Sequence, residues 1–293
     1  MKFTDQPTSL HSETRYAGNM TEGAASFTIT RPPETARGLP LVFASPHSGD
    51  RYPADMNAAP GLTQHSLRSA EDALVAALVA SGPSQGAPLI ESRIGRAYVD
   101  LNRDPDELDP TLIDGVQGPV GLKTAAGFGV IPRLGGDGAR LYDRILPRAE
   151  AERRIETAHA PYHAALGDLM QTARARHGRA LLIDWHSMPS RAVGAEVVLG
   201  DRHGSSCDAR LTRTLRSLFE GLGWRVALNH PYAGGWSTHS WGRPEEGFEA
   251  IQIELSRGLY LDEATLRPNA AYGRTHKALM RVIAALCAQR WAD

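Results

Sequence analysis

Short apolar runs alternate along this chain with longer stretches of helical period. Residues 39–44 (LPLVFA) form an apolar run ending in Ser45-Pro46-His47-Ser48-Gly49, the pattern of a buried strand feeding a turn. From about 63 to 81, Leu67, Ala70, Leu74, Ala77 and Leu78 recur at helical spacing. Val99-Asp100-Leu101 reads as the end of a strand that begins near Arg96. The stretch 105–138 carries many Gly, Pro and Asp residues and little period, and long loops of that kind usually serve function or flexibility. Helix is predicted over 140–177, interrupted at Pro147 and Pro161 and stopped by Gly178. Runs at 180–184, 196–199, 224–228 and 251–255 suit buried strands, while 208–222 and 263–289 carry helical patterns. Strands alternating with helices point to one α/β sheet flanked by helices, and such sheets bind ligands beyond the carboxyl ends of their strands. The first thirty or so residues lack period, so 1–35 is expected to form an arm and 36–293 a single domain.

Composition narrows the function classes. The chain has 293 residues, 42% of them hydrophobic and 22% charged, which excludes disordered and fibrous classes. Charges nearly cancel, 32 Lys+Arg against 33 Asp+Glu, which speaks against nucleic-acid or anionic-membrane partners. Cys207 and Cys287 make no disulfide framework, and no apolar run approaches a membrane span or a signal-like core. A soluble cytoplasmic protein is expected, with its oligomeric state open.

Two histidines follow predicted strands: His47 in the Ser-Pro-His-Ser-Gly turn and His186 in Asp184-Trp185-His186-Ser187. Two imidazoles at strand ends of one sheet favour a metal over two separate structural roles, because neutral imidazole is a leading zinc ligand. HExxH is absent, so a third ligand must come from another element. Asp72 and Glu71 both qualify, about 100° apart on a helix, and Ser69-Ala70-Glu71-Asp72 also reads as a capping box. In Ile251-Gln252-Ile253-Glu254-Leu255, alternation puts Gln252 and Glu254 on one face, making Glu254 either a catalytic base or the partner of Arg257. Asn102 and Arg103 supply amide donors and a planar cationic fork suited to a carboxylate, or a capped turn with a surface ion pair. Gly135-Gly136-Asp137-Gly138 and Gly234-Gly235 match no phosphate-binding pattern, and no Gly-x-Ser-x-Gly elbow surrounds Ser48 or Ser187. His163 reads as packing, whereas His203, His230 and His239 in loops stay open.

Taken in order, the Ser45–Gly49 turn, the acidic helix around Asp72, Val99-Asp100-Leu101-Asn102-Arg103, Asp184-Trp185-His186-Ser187-Met188 and Ile253-Glu254-Leu255-Ser256-Arg257-Gly258-Leu259-Tyr260 resemble the N-formylglutamate amidohydrolase family. That family is similar to zinc carboxypeptidases and to the aspartoacylase and succinylglutamate desuccinylase group. The resemblance implies a three-layer α/β/α sandwich around a mixed, largely parallel sheet, with one zinc ion. It implies His47, Asp72 and His186 as ligands, Glu254 as general base and acid, and Arg96 beside the scissile carbonyl. Asn102, Arg103 and Arg257 would bind a small anionic amino-acid-derived substrate, in a reaction belonging to histidine degradation. Trp185 stands where the family has a small residue, and 105–138 does not map cleanly. Three other readings remain: a zinc deacylase or carboxypeptidase acting on a different N-acyl amino acid, a non-catalytic metal- or ligand-binding protein, and a structural or interaction module, to which ordinary charge and the lack of repeats give little support.

Overall fold

The computed structural model describes residues 16–17 and 25–291. Its strands are β1 (Tyr16–Ala17), β2 (Phe27–Thr30), β3 (Leu41–Ser45), β4 (Leu89–Ser92), β5 (Ala180–Met188), β6 (Val197–Gly200), β7 (Val226–Leu228), β8 (Phe248–Ser256), β9 (Leu261–Asp262) and β10 (Arg267–Pro268). Its α-helices are α1 (Gln64–Arg68), α2 (Val75–Val79), α3 (Leu122–Ala125), α4 (Arg148–Arg154), α5 (Ala160–His177), α6 (Ala209–Glu220), α7 (Trp236–Trp241) and α8 (Tyr272–Cys287). The first eight strands make one sheet in the order β1-β2-β4-β3-β5-β8-β6-β7, and β9 and β10 pair separately. The central run β4-β3-β5-β8 is parallel, and β6 is antiparallel to β8. Among the described residues no helix is long and apolar enough to cross a membrane.

Strand alternation divides the core in two. On β3, Val42 and Ala44 pack with residues of α4 and α5 such as Ala151, Tyr162 and Leu166. Leu41 and Phe43 pack on the opposite face with Leu78 of α2, Leu215 of α6 and Leu279 of α8. Both faces of the sheet are therefore covered, as a parallel centre requires, and the architecture is the expected three-layer α/β/α sandwich.

Several boundaries differ from the sequence expectation. The helix expected over 63–81 is two short helices, with Asp72 in the turn between them. The Asp72 N–H donates to the His47 carbonyl (2.9 Å), and Arg257 donates to the carbonyls of Ser69 and Glu71, groups that an unbroken helix would satisfy internally. Thr63, not Ser69, caps α1 by accepting from the Ser66 N–H. No strand runs from 96 to 101: Ala97, Tyr98, Val99 and Leu101 all bury into the α5-side core, while the Asp100 N–H donates to the Val130 carbonyl of a loop. Residues 140–147 are not helical, and Pro147 is the N-cap of α4. The interruption at Pro161 is a π-helical turn, Ile155–His159, joining α4 to α5, which accommodates a residue that has no N–H. β5 continues past 184 to Met188 because β8 pairs with it throughout, so His186 lies inside a strand. The β9–β10 hairpin occupies the beginning of the helix expected over 263–289. Of the arm expected over 1–35, residues 1–15 and 18–24 lie outside the described residues. Its later part, Phe27–Thr30, is instead a sheet strand antiparallel to β4, with Phe27 and Ile29 buried in the core.

Trp185 is fully buried on the face opposite His186, edge-on to Phe43 at 5.7 Å. It fills the core behind the polar face of β5. Replacing Trp185 by Ala is expected to cost about 3–5 kcal/mol in urea unfolding through the cavity it leaves; a loss below about 1 kcal/mol would contradict this placement.

Candidate active site

The site begins with the register of β5 on β8. Asp184 pairs with Gln252 and His186 with Glu254, so all four side chains occupy one face at the carboxyl ends of adjacent parallel strands. Ile183, Trp185, Ile253 and Leu255 face the other side and bury in the opposite core. His47 enters from the turn after β3. Asp72 enters from the α1–α2 turn, drawn in by its backbone bond to His47.

His47, Asp72 and His186 converge although the histidines are 139 positions apart, and their Nδ1 atoms lie 3.1 Å from each other. Asp72 Oδ2 is 3.3 Å from His47 Nδ1 and 3.0 Å from His186 Nδ1. The outer nitrogens face carboxylates: His47 Nε2 donates to Asp100 Oδ1 at 2.7 Å, and Asp184 Oδ2 lies 3.0 Å from His186 Nε2. A metal held at the two Nδ1 atoms would leave the proton of each imidazole on Nε2, facing Asp100 and Asp184. Two ligand atoms bound at about 2.0–2.1 Å to a tetrahedral zinc ion lie about 3.3 Å apart, so this donor set fits such an ion. Burial opposes ionisation of Asp72, but the hydrogen bonds and charges of His186 and His47 outweigh it and hold the carboxyl well below its usual range. Burial likewise opposes charge on His186, yet Asp184 and Asp72 raise its proton affinity well above that of free imidazole.

Glu71 is committed elsewhere. It accepts from Arg68 at 3.0 and 2.9 Å and from the Tyr52 hydroxyl at 2.7 Å, facing away from the histidines.

Glu254 is buried beside the triad. Its Oε1 accepts from Gln252 at 2.7 Å, and its Oε2 has no hydrogen-bond partner. Burial is the main cause that pushes its carboxyl up to about 7, opposed by the charge of His186 and reinforced by that of Asp72. Arg257 does not pair with it. That guanidinium donates to Ser187 Oγ and the carbonyls of Ser69 and Glu71, and lies 3.4 Å from Asp72 Oδ1, so it braces the Asp72 turn.

Asn102 is turned inward. Its Nδ2 donates to Gln252 Oε1 (3.3 Å) and lies 3.2 Å from His186 Nε2, while its Oδ1 accepts from the Ser237 N–H (2.9 Å). Gly235 packs so closely that a Cβ there would sit 2.3 Å from the Asn102 amide. Sequence reasoning set Asn102 at a substrate carboxylate and Arg257 with it; the structure uses their polar groups to hold the site together. Arg103 is freer: Nη1 faces Glu107 at 3.4 Å, and Nε makes no hydrogen bond and only a long ion pair to Asp100 Oδ2 at 3.9 Å. Arg96 donates to Asp100 Oδ2 at 2.8 Å. The segment 101–103 is gripped by its carbonyls, with His163 Nε2 donating to Leu101 (2.7 Å), His159 Nε2 to Arg103 (2.9 Å) and the Trp236 N–H to Asn102 (3.3 Å). His163 is thus the packing residue expected of it.

These groups line a cavity of about 340 Å³, with His47, His186 and Glu254 in its floor and Arg96, Arg103 and Lys123 among its walls. That volume suits a small ligand. His203, His230 and His239 do not line it. Sequence reasoning missed the supporting roles of Asp100, Asp184, Gln252 and His159. Asp100 and Asp184 stood inside quoted motifs, and Gln252 shared the face of Glu254 by alternation. His159 had no local signal, because a π turn sets its direction.

A family model described as N-formylglutamate amidohydrolase matches residues 39–261 of the chain. N-formylglutamate deformylase of Pseudomonas aeruginosa is 29% identical over 235 residues, 77% of this chain and 83% of that protein. The enzyme of the same name from Pseudomonas putida is 29% identical over 236 residues, with the same coverage. The crystal structure of N-formylglutamate amidohydrolase from Ralstonia eutropha aligns with a TM-score of 0.84 and 34% identity, covering 89% of this chain and 97% of that one. A gene product of Agrobacterium tumefaciens shares the fold, with a TM-score of 0.61 and 19% identity over 89% of this chain and 95% of its own.

Two outcomes follow from this geometry. In cation titrations followed by metal analysis, Asp72→Asn should lose tight divalent binding, while Glu71→Gln should keep the stoichiometry and melt earlier. Burial, with the charge of His159, pushes His163 down to about 3. An unfolded histidine protonates near about 6.5, so below that pH the unfolded chain gains a proton that the fold refuses, and stability falls. Relative to wild type, His163→Gln should therefore lose less urea stability between pH 7 and 5.

Proposed function

Because the chain belongs to the N-formylglutamate amidohydrolase family, we propose that it hydrolyses the formyl amide of N-formyl-L-glutamate, or of a closely similar N-formyl amino acid, to formate and the free amino acid. The observation that carries this reading is the buried Glu254 carboxylate, one oxygen unpartnered, beside a convergent His47–Asp72–His186 donor set in a closed-bottomed cavity. Simple ligand binding has no need of a proton acceptor in that place.

Zinc is the cofactor in this proposal, and when held by His47, Asp72 and His186 it supplies Lewis-acid activation of the formyl carbonyl and of the attacking water. Asp100 and Asp184 keep the two imidazoles in the orientation that presents Nδ1. Glu254 takes the proton from the attacking water and delivers it to the amide nitrogen as the C–N bond breaks. A carboxyl whose proton affinity lies near neutrality can do both. Arg96, fixed by Asp100 at the cavity wall, directs positive charge at the oxygen that gains charge as water adds. Arg103 presents its fork to the substrate α-carboxylate and so orients the amide over the donor set. Gln252 positions Glu254 by donating to Oε1, which leaves Oε2 as the oxygen that handles the proton.

The deciding variant is Glu254→Gln, which preserves shape but cannot accept the proton. Turnover of N-formyl-L-glutamate should fall about 10²–10⁴-fold, with melting temperature and zinc content close to wild type. A variant that melts early yet still hydrolyses the substrate would refute the role of Glu254. Faster turnover of N-acetyl or N-succinyl than of N-formyl substrates by the wild type would reassign the acyl group.

A further inference from the structure

The segment 105–138, which fits no motif, supplies one cavity side chain that the proposed mechanism leaves unused. Lys123 on α3 lines the same cavity as Arg103 and Glu254. The other cations of that wall are engaged: Arg96 with Asp100, Arg257 with Asp72 and two carbonyls, and Arg103 in part with Glu107. Among the described residues the Lys123 ammonium has no hydrogen-bond or ion-pair partner, although its backbone carbonyl accepts from the Phe128 N–H.

The placement of α3 is held by built contacts. Thr124, buried, donates to Glu107 Oε2 at 3.2 Å, and Arg103 Nη1 faces that same oxygen at 3.4 Å. The Val130 N–H donates to the Glu107 carbonyl at 2.9 Å, and a Cβ on Gly129 would sit 2.5 Å from that oxygen. One glutamate thus ties the helix carrying Lys123 to the side chain of Arg103. Arg103 and Lys123 thus line one cavity, and Glu107 faces only the first of them, which leaves the Lys123 ammonium without a compensating carboxylate. Partial burial is the main cause that lowers the proton affinity of Lys123; the charges of Arg103 and Arg96 lower it further, and those of Glu254 and Asp100 oppose them. An entering carboxylate relieves the repulsion from the two arginines.

We propose that Lys123 is a specificity residue that binds a second, side-chain carboxylate, so that the cavity selects N-acyl amino acids carrying two carboxylates over those carrying one. This rests on the hydrolase reading above, in which Arg103 takes the α-carboxylate. The segment that sets the preference is then the 105–138 loop, while the chemistry stays on the sheet.

The test compares N-formyl-L-glutamate with N-formyl-L-glutamine, nearly the same shape without the side-chain charge, on wild type, Lys123→Met and Lys123→Arg. Calorimetric binding of L-glutamate and L-glutamine to the same proteins accompanies the kinetics. Lys123→Met should lower kcat/KM for N-formyl-L-glutamate about 10–100-fold, mainly through KM, and change the glutamine substrate less than about 3-fold. Lys123→Arg should retain most of the preference. Equal losses on both substrates, or an unchanged preference in Lys123→Met, would overturn the assignment. If wild type hydrolyses neither compound, the hydrolase reading fails. Binding then decides for Lys123: a glutamate preference lost in the Met variant supports it, and equal binding of the two amino acids by wild type overturns it.

Discussion

The parallel pairing of β5 with β8 governs the chemistry of this protein. Its ladder runs from Ala180↔Phe248 to Met188↔Ser256, and it sets His186 beside Glu254 and Asp184 beside Gln252. A slip of one residue on either strand would turn its polar side chains into the core that holds Ile183, Trp185, Ile253 and Leu255. The apolar face therefore enforces the register that the polar face uses. This is why a tryptophan can stand immediately before His186 without intruding on the site: consecutive strand residues point to opposite faces.

A second constraint is buried charge. Asp72, Asp100, Asp184, His47, His186, Glu254 and Arg257 are all buried, and isolated charges in such surroundings are costly. The structure answers with a network in which Asp100 faces His47 and Arg96, Asp184 faces His186, and Arg257 braces the turn carrying Asp72. Glu254 stands outside the ion pairs, supported by one neutral amide. The group with the least charge compensation is also the one whose proton affinity burial raises toward neutrality.

Around this centre the loops divide the work. Carbonyls of 101–103 are held from α5 and its π turn by His163 and His159 and from α7 by the Trp236 N–H, which fixes the wall bearing Arg103. The 105–138 segment adds α3 against Glu107. Scaffold and cavity wall are thus joined by a few directed bonds, an arrangement in which a wall can change while the sheet and its donor set persist.

The sheet strands β3, β5, β6, β7 and β8 were legible in the sequence as short apolar runs, and alternation with a period of two placed Gln252 and Glu254 on one face; β1, β2 and β4 were not read. His47, His186 and Glu254 could be singled out for the same reason, as polar residues in or beside apolar runs. What the sequence left open was every choice that depends on distant partners. Asp72 and Glu71 are adjacent and chemically alike; only Arg68 and Tyr52 on one side, and His47 and Arg257 on the other, separate their roles. Asn102 reads locally as a ligand for a carboxylate, and only the approach of Gly235, Ser237 and Gln252 turns it inward. The apolar run around 97–101 mimics a strand because burial of the whole segment, not pairing, selects its residues. Local period determines which face a side chain takes; long-range contacts decide which faces meet, and with them which polar groups are left free to act.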